Sequence, residues 1–303
     1  MSNKLALVFP GQGSQTVGML NGFYADNSSV VSVACEEAAD VLGYDIATLI
    51  ATDPEQKLNQ TAYTQPALLL AGVIAWRIWQ TECDSKPAML AGHSLGEYTA
   101  LVCAGALTLA EALKLVTKRG ELMQQAVPAG TGAMAAILGL ELPQVNDICV
   151  GEVQAANINA PGQIVIAGTA VDVAAAIERA KAVGAKRAIL LPVSVPSHCS
   201  LMLPAAEQFA SYLQQVKWQK PLLPVIHNYD VSAHDDAASI CEVLQKQLYS
   251  PVRWVETVEY FMQHDVTKIL ECGPGKVLTG LNKRIAPLLQ VVAISDGLGA
   301  SLC

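Results

Sequence analysis

"MLAGHSLGEYTALVCAG", residues 89 to 105, holds one serine between two glycines at the junction of two kinds of local pattern. Met89 to Gly92 close a short apolar run, Gly92-His93-Ser94-Leu95-Gly96 follows, and a helix-like segment begins at once. This is the strand, turn and helix context of a G-x-S-x-G elbow, whose glycines let strand and helix backbones come close enough to hold a serine exposed at a strained turn. The bare pattern is expected about 0.1 times in a chain of this length, so the context carries the argument. A second reading competes: Ser94 with Glu97 three residues later also spells a capping box, in which the serine only closes the helix start. A capping box does not require glycine on both flanks. A helix N-terminus would also serve a nucleophile, because its free amides favour a developing oxyanion.

The neighbouring segments agree with an α/β fold. "KLALVF" leads into the glycine-rich turn "PGQGSQ" (Pro10 to Gln15), "AMLAGH" (Ala88 to His93) is a second apolar strand, and helix-like sequence lies between them. Another helix is predicted from Leu109 to Gln125. Strand and helix alternation implies a mostly parallel sheet. From about 128 to 195 the rhythm changes to β-α-β-β-α-β, the ferredoxin-like signature, through "GAMAAILGL", "LPQVNDICVG", "VQAANIN", "PGQIVIAG", "AVDVAAAIERAKAVG" and "AKRAILLPV". "LPVIHN", a helix over 236–248 and the strand "KILECG" (268–273) then resume the first pattern. The expected architecture is a large hydrolase-like α/β domain, 1–127 and 197–303, with an inserted ferredoxin-like domain, 128–196.

At 303 residues the chain can bury a sizeable core, and 52% hydrophobic against 15% charged residues suits a parallel sheet under alanine-rich helices. The longest apolar run, "PALLLAGVIAW" (Pro66 to Trp76), is half the ~20 residues of a membrane span. The start, "MSNKLALVFPGQG", has too short an apolar stretch for a secretory signal. A soluble cytoplasmic protein is expected. Eight scattered cysteines without a CxxC pair suggest reduced core thiols, with neither a disulfide framework nor a metal site. Net charge of −8 and no long basic run argue against nucleic acid.

A serine nucleophile needs a base, and the chain has five histidines: His93, His198, His227, His234 and His264. His93 adjoins Ser94 at a tight turn and should point away. His234, in "SAHDDAA", reads as an exposed loop, and His264 as a helix end. His198, in "VSVPSHCSLM", falls where the inserted domain rejoins the large one, which is a natural cleft wall. An α/β-hydrolase would place its histidine near the C-terminus, whereas about 100 residues follow His198, so simple hydrolase chemistry fits poorly.

Eight blocks, "FPGQGSQTVGM", "TQPALL", "AGHSLGEYTALVCAGAL", "RGELMQQAVPAGTGAMAAILGL", "NINAPGQIVIAG", "LPVSVPSHCSLM", "QLYSPVRW" and "ECGPGKVLTGL", together resemble the malonyl-CoA:acyl carrier protein transacylases of bacterial fatty acid synthesis. The resemblance runs from residue 5 to about 285. It implies that Ser94 carries the acyl group, that His198 is its base, and that Gln247 supplies the group that holds the histidine ring. It further implies that backbone amides of Gln12 and Leu95 form an oxyanion hole, that Arg119 binds the malonyl carboxylate, and that Asn159 and Val277 line the cleft. "GQG" lacks the third glycine of a dinucleotide fingerprint, since Thr16 stands there. The implied partners are malonyl-CoA and the phosphopantetheine arm of acyl carrier protein, acting on a monomer without cofactor. An acidic carrier would need a local basic patch on so acidic a chain; Lys181, Lys186 with Arg187, and Lys283 with Arg284 are the candidates. A trans-acting polyketide acyltransferase or a serine thioester hydrolase are the alternatives. The tail from Ala286 to Cys303 matches no block.

Overall fold

The computed structural model describes residues 4–128, 130–193 and 195–296. The chain enters through β1 (Lys4–Phe9) and then builds three helices, α1 (Asn21–Leu42), α2 (Ile46–Thr52) and α3 (Thr61–Glu82), before β2 (Met89–Gly92), α4 (Gly96–Cys103) and α5 (Leu109–Ala126). A second unit follows as β3 (Gly132–Leu138), α6 (Leu142–Ile148), β4 (Val153–Ala160), β5 (Gln163–Thr169), α7 (Ala170–Ala182) and β6 (Arg187–Leu190). The first pattern then resumes with α8 (Leu203–Gln215), β7 (Val225–Ile226), α9 (Ala237–Gln247), α10 (Trp254–Gln263), β8 (Val266–Glu271), α11 (Val277–Ile285) and β9 (Gln290–Ala293).

Five strands form a wholly parallel sheet in the order β7-β2-β1-β8-β9. Its central strands are apolar on both faces, as a sheet covered by helices on either side requires. The longest apolar run explains itself here: Pro66 to Trp76 lies inside α3 and every one of those residues is buried. No helix among the described residues is long and apolar enough to cross a membrane. Chain order reverses at β1, with β2 on one side and β8 on the other. The turns after β1 and β2 therefore lie side by side at the carboxyl ends of the strands, the usual place for a ligand crevice.

The second sheet is antiparallel, in the order β4-β5-β3-β6, which is the ferredoxin-like arrangement for β-α-β-β-α-β. Alternation along β5 decides its two faces. Ile164 and Ile166 pack with Val145, Ile148, Val173 and Ala176 of α6 and α7, while Val165 and Ala167 turn the other way, to Met134, Ala156 and Cys199. That second face looks toward the crevice. Val252, after α9, bonds to the open edge of β4 through Ala156 and Ile158, so the two sheets are stitched together by backbone.

Several expectations are corrected. "LPVIHN" is a strand only over Val225–Ile226, because Pro224 has no N–H and His227 turns away to a carboxylate. The tail contributes a true strand, β9, paired with β8; residues 297–303, Cys303 among them, lie outside the described residues. Cys35, Cys103, Cys149, Cys199, Cys241 and Cys272 are free thiols as expected, but Cys83 is disulfide-bonded, a pairing that no spacing in the sequence announces.

Candidate active site

Ser94 occupies the turn between β2 and α4 with φ of 52°, a left-handed conformation that costs energy for a side chain with a Cβ. The flanking glycines show why the chain accepts it. A Cβ on Gly92 would fall 1.8 Å from the backbone carbon of Gly96, and one on Gly96 would fall 2.1 Å from Phe9 O in β1. Helix and strand thus touch through bare backbone. The capping box does not form: α4 begins at Gly96 without a side-chain cap, and the Glu97 carboxylate turns inward. There it accepts from His227 Nδ1 (2.7 Å), Asn228 N (2.9 Å) and Gln247 Nε2 (2.9 Å). Asn228 in turn clamps the elbow, accepting Ser94 N–H on Oδ1 at 2.7 Å and donating from Nδ2 to Gly92 O at 2.7 Å.

His198 approaches from the segment between β6 and α8, also with positive φ, 64°. Its Nδ1 lies 2.7 Å from the main-chain carbonyl of Gln247. A carbonyl only accepts, so Nδ1 carries the proton and Nε2 presents a lone pair to Ser94 Oγ, 2.7 Å away. Burial, and then the positive charge of Arg119, push the His198 imidazole down to about 3. The ring is therefore neutral at ordinary pH, in the tautomer that can take the serine proton.

Arg119 projects from α5 into the same space, though it is only 1% exposed. Gly120 permits this, since α5 passes so near the start of α3 that a Cβ there would lie 2.8 Å from Thr61 O. Nη1 donates to Gln65 Oε1 (2.9 Å), and Nη2 to Gln247 Oε1 (2.9 Å) and Ser94 Oγ (3.2 Å). The guanidinium also stands over the Tyr98 ring, 5.4 Å from its centroid. Among the described residues no carboxylate lies within ion-pair distance of it, and its Nε has no partner. Burial lowers its proton affinity, but a guanidinium remains charged. A buried, unneutralised cation beside a serine oxygen is a receptor for an anion.

These groups open on a cleft of about 590 Å³. Ser94, His198, Arg119, Gln12, Leu95, Asn159 and Val277 all line it, so the structure brings together every residue singled out from the sequence except Gln247, which stands behind the wall. The backbone amides of Gln12 and Leu95 have no hydrogen-bond partner among the described residues. His93 is also among the residues of the wall, and its Nε2 donates to Asn159 Oδ1 at 2.8 Å. His234 pairs with Asp230, and His264 ends α10. Glu97, Asn228, Gln65 and Tyr98 were not visible as site residues in the sequence; only the short spacing of Glu97 and Tyr98 from Ser94 hinted at them. No cluster of acidic, histidine or cysteine side chains among the described residues could hold a metal.

The fold and the cleft are those of an acyltransferase, and the chain belongs to the acyl transferase domain family, whose model matches residues 6–284. Within that family it is similar to the malonyl CoA-acyl carrier protein transacylase of Haemophilus influenzae, 51% identical over 299 residues, 97% of this chain and 96% of the relative. Among solved structures, an acyl carrier protein S-malonyltransferase from Vibrio cholerae superposes with a TM-score of 0.94 at 54% identity, over 99% of this chain and 98% of the other. A malonyl-transacylase solved in complex with its type II PKS acyl-carrier protein gives 0.95 at 49% identity, over 99% and 97%.

Proposed function

We propose that this chain moves the malonyl group of malonyl-CoA to the phosphopantetheine thiol of acyl carrier protein through a malonyl ester on Ser94. The observation that carries this reading is the buried guanidinium of Arg119, which has no carboxylate partner among the described residues and donates to Ser94 Oγ at 3.2 Å. In the first half-reaction His198 Nε2 takes the Ser94 hydroxyl proton as Oγ attacks the thioester carbonyl. The oxyanion meets the amides of Gln12 and Leu95, and the coenzyme A sulfur leaves with the proton from Nε2. In the second, the pantetheine thiol gives its proton to Nε2 and attacks the ester, and Ser94 recovers the proton as it departs. The Gln247 carbonyl holds the imidazole in place throughout. Arg119 receives the malonyl carboxylate as a planar fork that a lysine could not imitate.

The cleft walls support a division into a catalytic unit, 1–127 and 197–303, and an inserted unit, 128–196. Ser94, Arg119 and Leu281 come from the first, and Met134, Asn157 and Val165 from the second. We take the chain to act as a cytoplasmic monomer that supplies malonyl units to fatty acid biosynthesis, in keeping with the transacylase names of its relatives. Intact mass after brief incubation with malonyl-CoA should show one malonyl adduct on the Ser94 peptide, discharged by carrier protein and absent from Ser94→Ala. Adduct formation at another residue, or discharge to water as fast as to carrier, would reject the reading.

A further inference from the structure

We propose that the side-chain amide of Gln247, held in one orientation by Glu97, positions Arg119 for the substrate carboxylate, so that these two residues set the preference for malonyl over acetyl groups. The proposal rests on the acyl-transfer reading above and extends it to two residues that do not line the cleft. Gln247 serves twice. Its main chain accepts His198 Nδ1–H, and its side chain, independently, accepts Arg119 Nη2 on Oε1.

An amide is nearly symmetrical in shape and wholly asymmetrical in hydrogen bonding. Here Nε2 faces two acceptors, Glu97 Oε2 at 2.9 Å and Ser94 O at 3.0 Å, while Oε1 faces the guanidinium. Rotating the amide by half a turn would set NH₂ against Nη2 and oxygen against two oxygens. Glu97 thereby fixes which end Arg119 meets. Glu97 is itself immovable, because it is fully buried and bonded to His227 Nδ1 and to Asn228 N.

The arrangement also answers an electrostatic problem. A buried cation needs compensation, yet a carboxylate in direct contact would neutralise the fork that the substrate must occupy. Glu97 reaches Arg119 only through the Gln247 amide, two hydrogen bonds away. Its attraction is felt while the receptor stays open. Gln65 Oε1 on the other nitrogen and the Tyr98 ring beneath complete a frame in which every partner is neutral.

The test is the loading half-reaction with malonyl-CoA and acetyl-CoA, each at limiting concentration, read by intact mass for wild type, Gln247→Met, Glu97→Leu and Glu97→Gln. Gln247→Met keeps the main-chain carbonyl and the approximate length but removes the amide. Its malonyl-to-acetyl ratio should fall about tenfold, the scale of one hydrogen bond to a charged group, with acetyl loading falling less. Glu97→Leu should lower the ratio likewise, and Glu97→Gln should return it toward the wild-type value, since one carboxamide oxygen can still accept from both Asn228 N and Gln247 Nε2. A ratio unchanged in Gln247→Met, or both thioesters falling together, overturns the proposal whether or not Glu97→Leu folds. Wild-type protein that loads neither thioester overturns the acyl-transfer reading and this inference with it.

Discussion

Ser94 Oγ and His198 Nε2 stand 2.7 Å apart across 104 residues of sequence, and both residues hold positive φ, 52° and 64°. Two left-handed backbones in one contact are a local cost that surrounding bonds must offset. On the serine side the offset is Asn228, whose single side chain satisfies Ser94 N–H and Gly92 O. On the histidine side it is the pair of bonds to Gln247 O and Leu248 O.

Removing the Asn228 clamp should therefore weaken both fold and chemistry. Asn228→Ala leaves two polar backbone groups unpaired in a buried turn, so urea denaturation should show a loss of about 1–3 kcal/mol. Single-turnover loading of Ser94 should slow as the hydroxyl leaves its place beside Nε2. Full-speed loading in the destabilised variant would reduce Asn228 to a prop for the fold.

Gly92→Ala and Gly96→Ala should be worse than any change at the polar residues. In each the added methyl meets backbone, not a movable side chain, at 1.8 Å and 2.1 Å. β2, α4 and β1 would have to separate, which exceeds the usual 1–3 kcal/mol cost of overpacking. The expected result is loss of soluble protein or a strong drop in the thermal midpoint. A stable, active Gly92→Ala protein would show that the elbow has slack that the geometry denies.

The elbow and the two sheets were legible in the sequence because each rests on local signals: paired glycines around one serine, a Pro-Gly turn before the apolar run of β5, and a continuous apolar run in β1. The network behind the elbow was not. Glu97 at three residues from Ser94 looked like the second half of a capping box, and only the tertiary fold brings His227, Asn228 and Gln247 to its carboxylate. The Gln247 carbonyl is a main-chain atom that any residue would possess, so no side-chain pattern could announce it. Arg119 reads as a solvated helix charge unless the close approach of α5 to α3 at Gly120 is known; the resemblance to a family, not periodicity, drew notice to it. The strand in "LPVIHN" is short for the opposite reason, since an apolar pattern there is truncated by Pro224 and by the polar needs of His227.

The pH dependence of loading follows from His198. Its unfolded value is near 6.5 and its folded value about 3, with burial first and Arg119 second among the causes. The neutral base is then present at every pH above the folded value, so the loading rate should show no inflection near 6.5. The same shift means that the unfolded chain binds a proton in the window between about 6.5 and 3 that the native chain refuses. This contribution erodes stability as pH falls through that window. Arg119→Ala removes the second-largest of the causes and should move the acid limb of the rate profile upward. A wild-type profile that breaks at 6.5 would mean that the imidazole is hydrated and ordinary.

Carrier recognition can be narrowed by what the candidate cations already do. Lys181 is engaged with Glu178 at 2.7 Å, and Arg284 donates to Pro161 O at 2.7 Å and also to Gln163. Lys283 is exposed on α11, whose Val277, Leu278 and Leu281 line the cleft, and Lys186 and Arg187 lead through β6 to Leu191, Pro192 and Val193 at its other wall. Against a net charge of −8, these are the candidate cations whose elements lead to the cleft walls. Lys283→Glu or Arg187→Glu should raise the carrier's KM several-fold and leave malonyl-CoA loading unchanged. Equal effects on the two half-reactions would place docking elsewhere.

On the proposed reading, Arg119 should set the choice between malonyl and acetyl groups. A carboxylate taken into a closed cleft without a partner loses several kcal/mol of hydration, and an acetyl group leaves the guanidinium desolvated and facing nothing. Both effects favour malonyl. The structure adds that Arg119 also donates to Ser94 Oγ, the atom that must attack, so bound carboxylate and nucleophile share one rigid cation. With a hydrogen bond to a charged group worth about 1.5–3 kcal/mol, Arg119→Ala should lower kcat/KM for malonyl-CoA by a factor of about 10 to 150. Acetyl-CoA loading should fall far less, or rise. Arg119→Lys should not restore the ratio, because an ammonium cannot bond Gln65, Gln247 and a carboxylate in one plane. Specificity constants for both thioesters settle the matter. A malonyl-to-acetyl ratio that stays at its wild-type value in Arg119→Ala would move the selectivity to another part of the cleft and leave the buried guanidinium a structural cation.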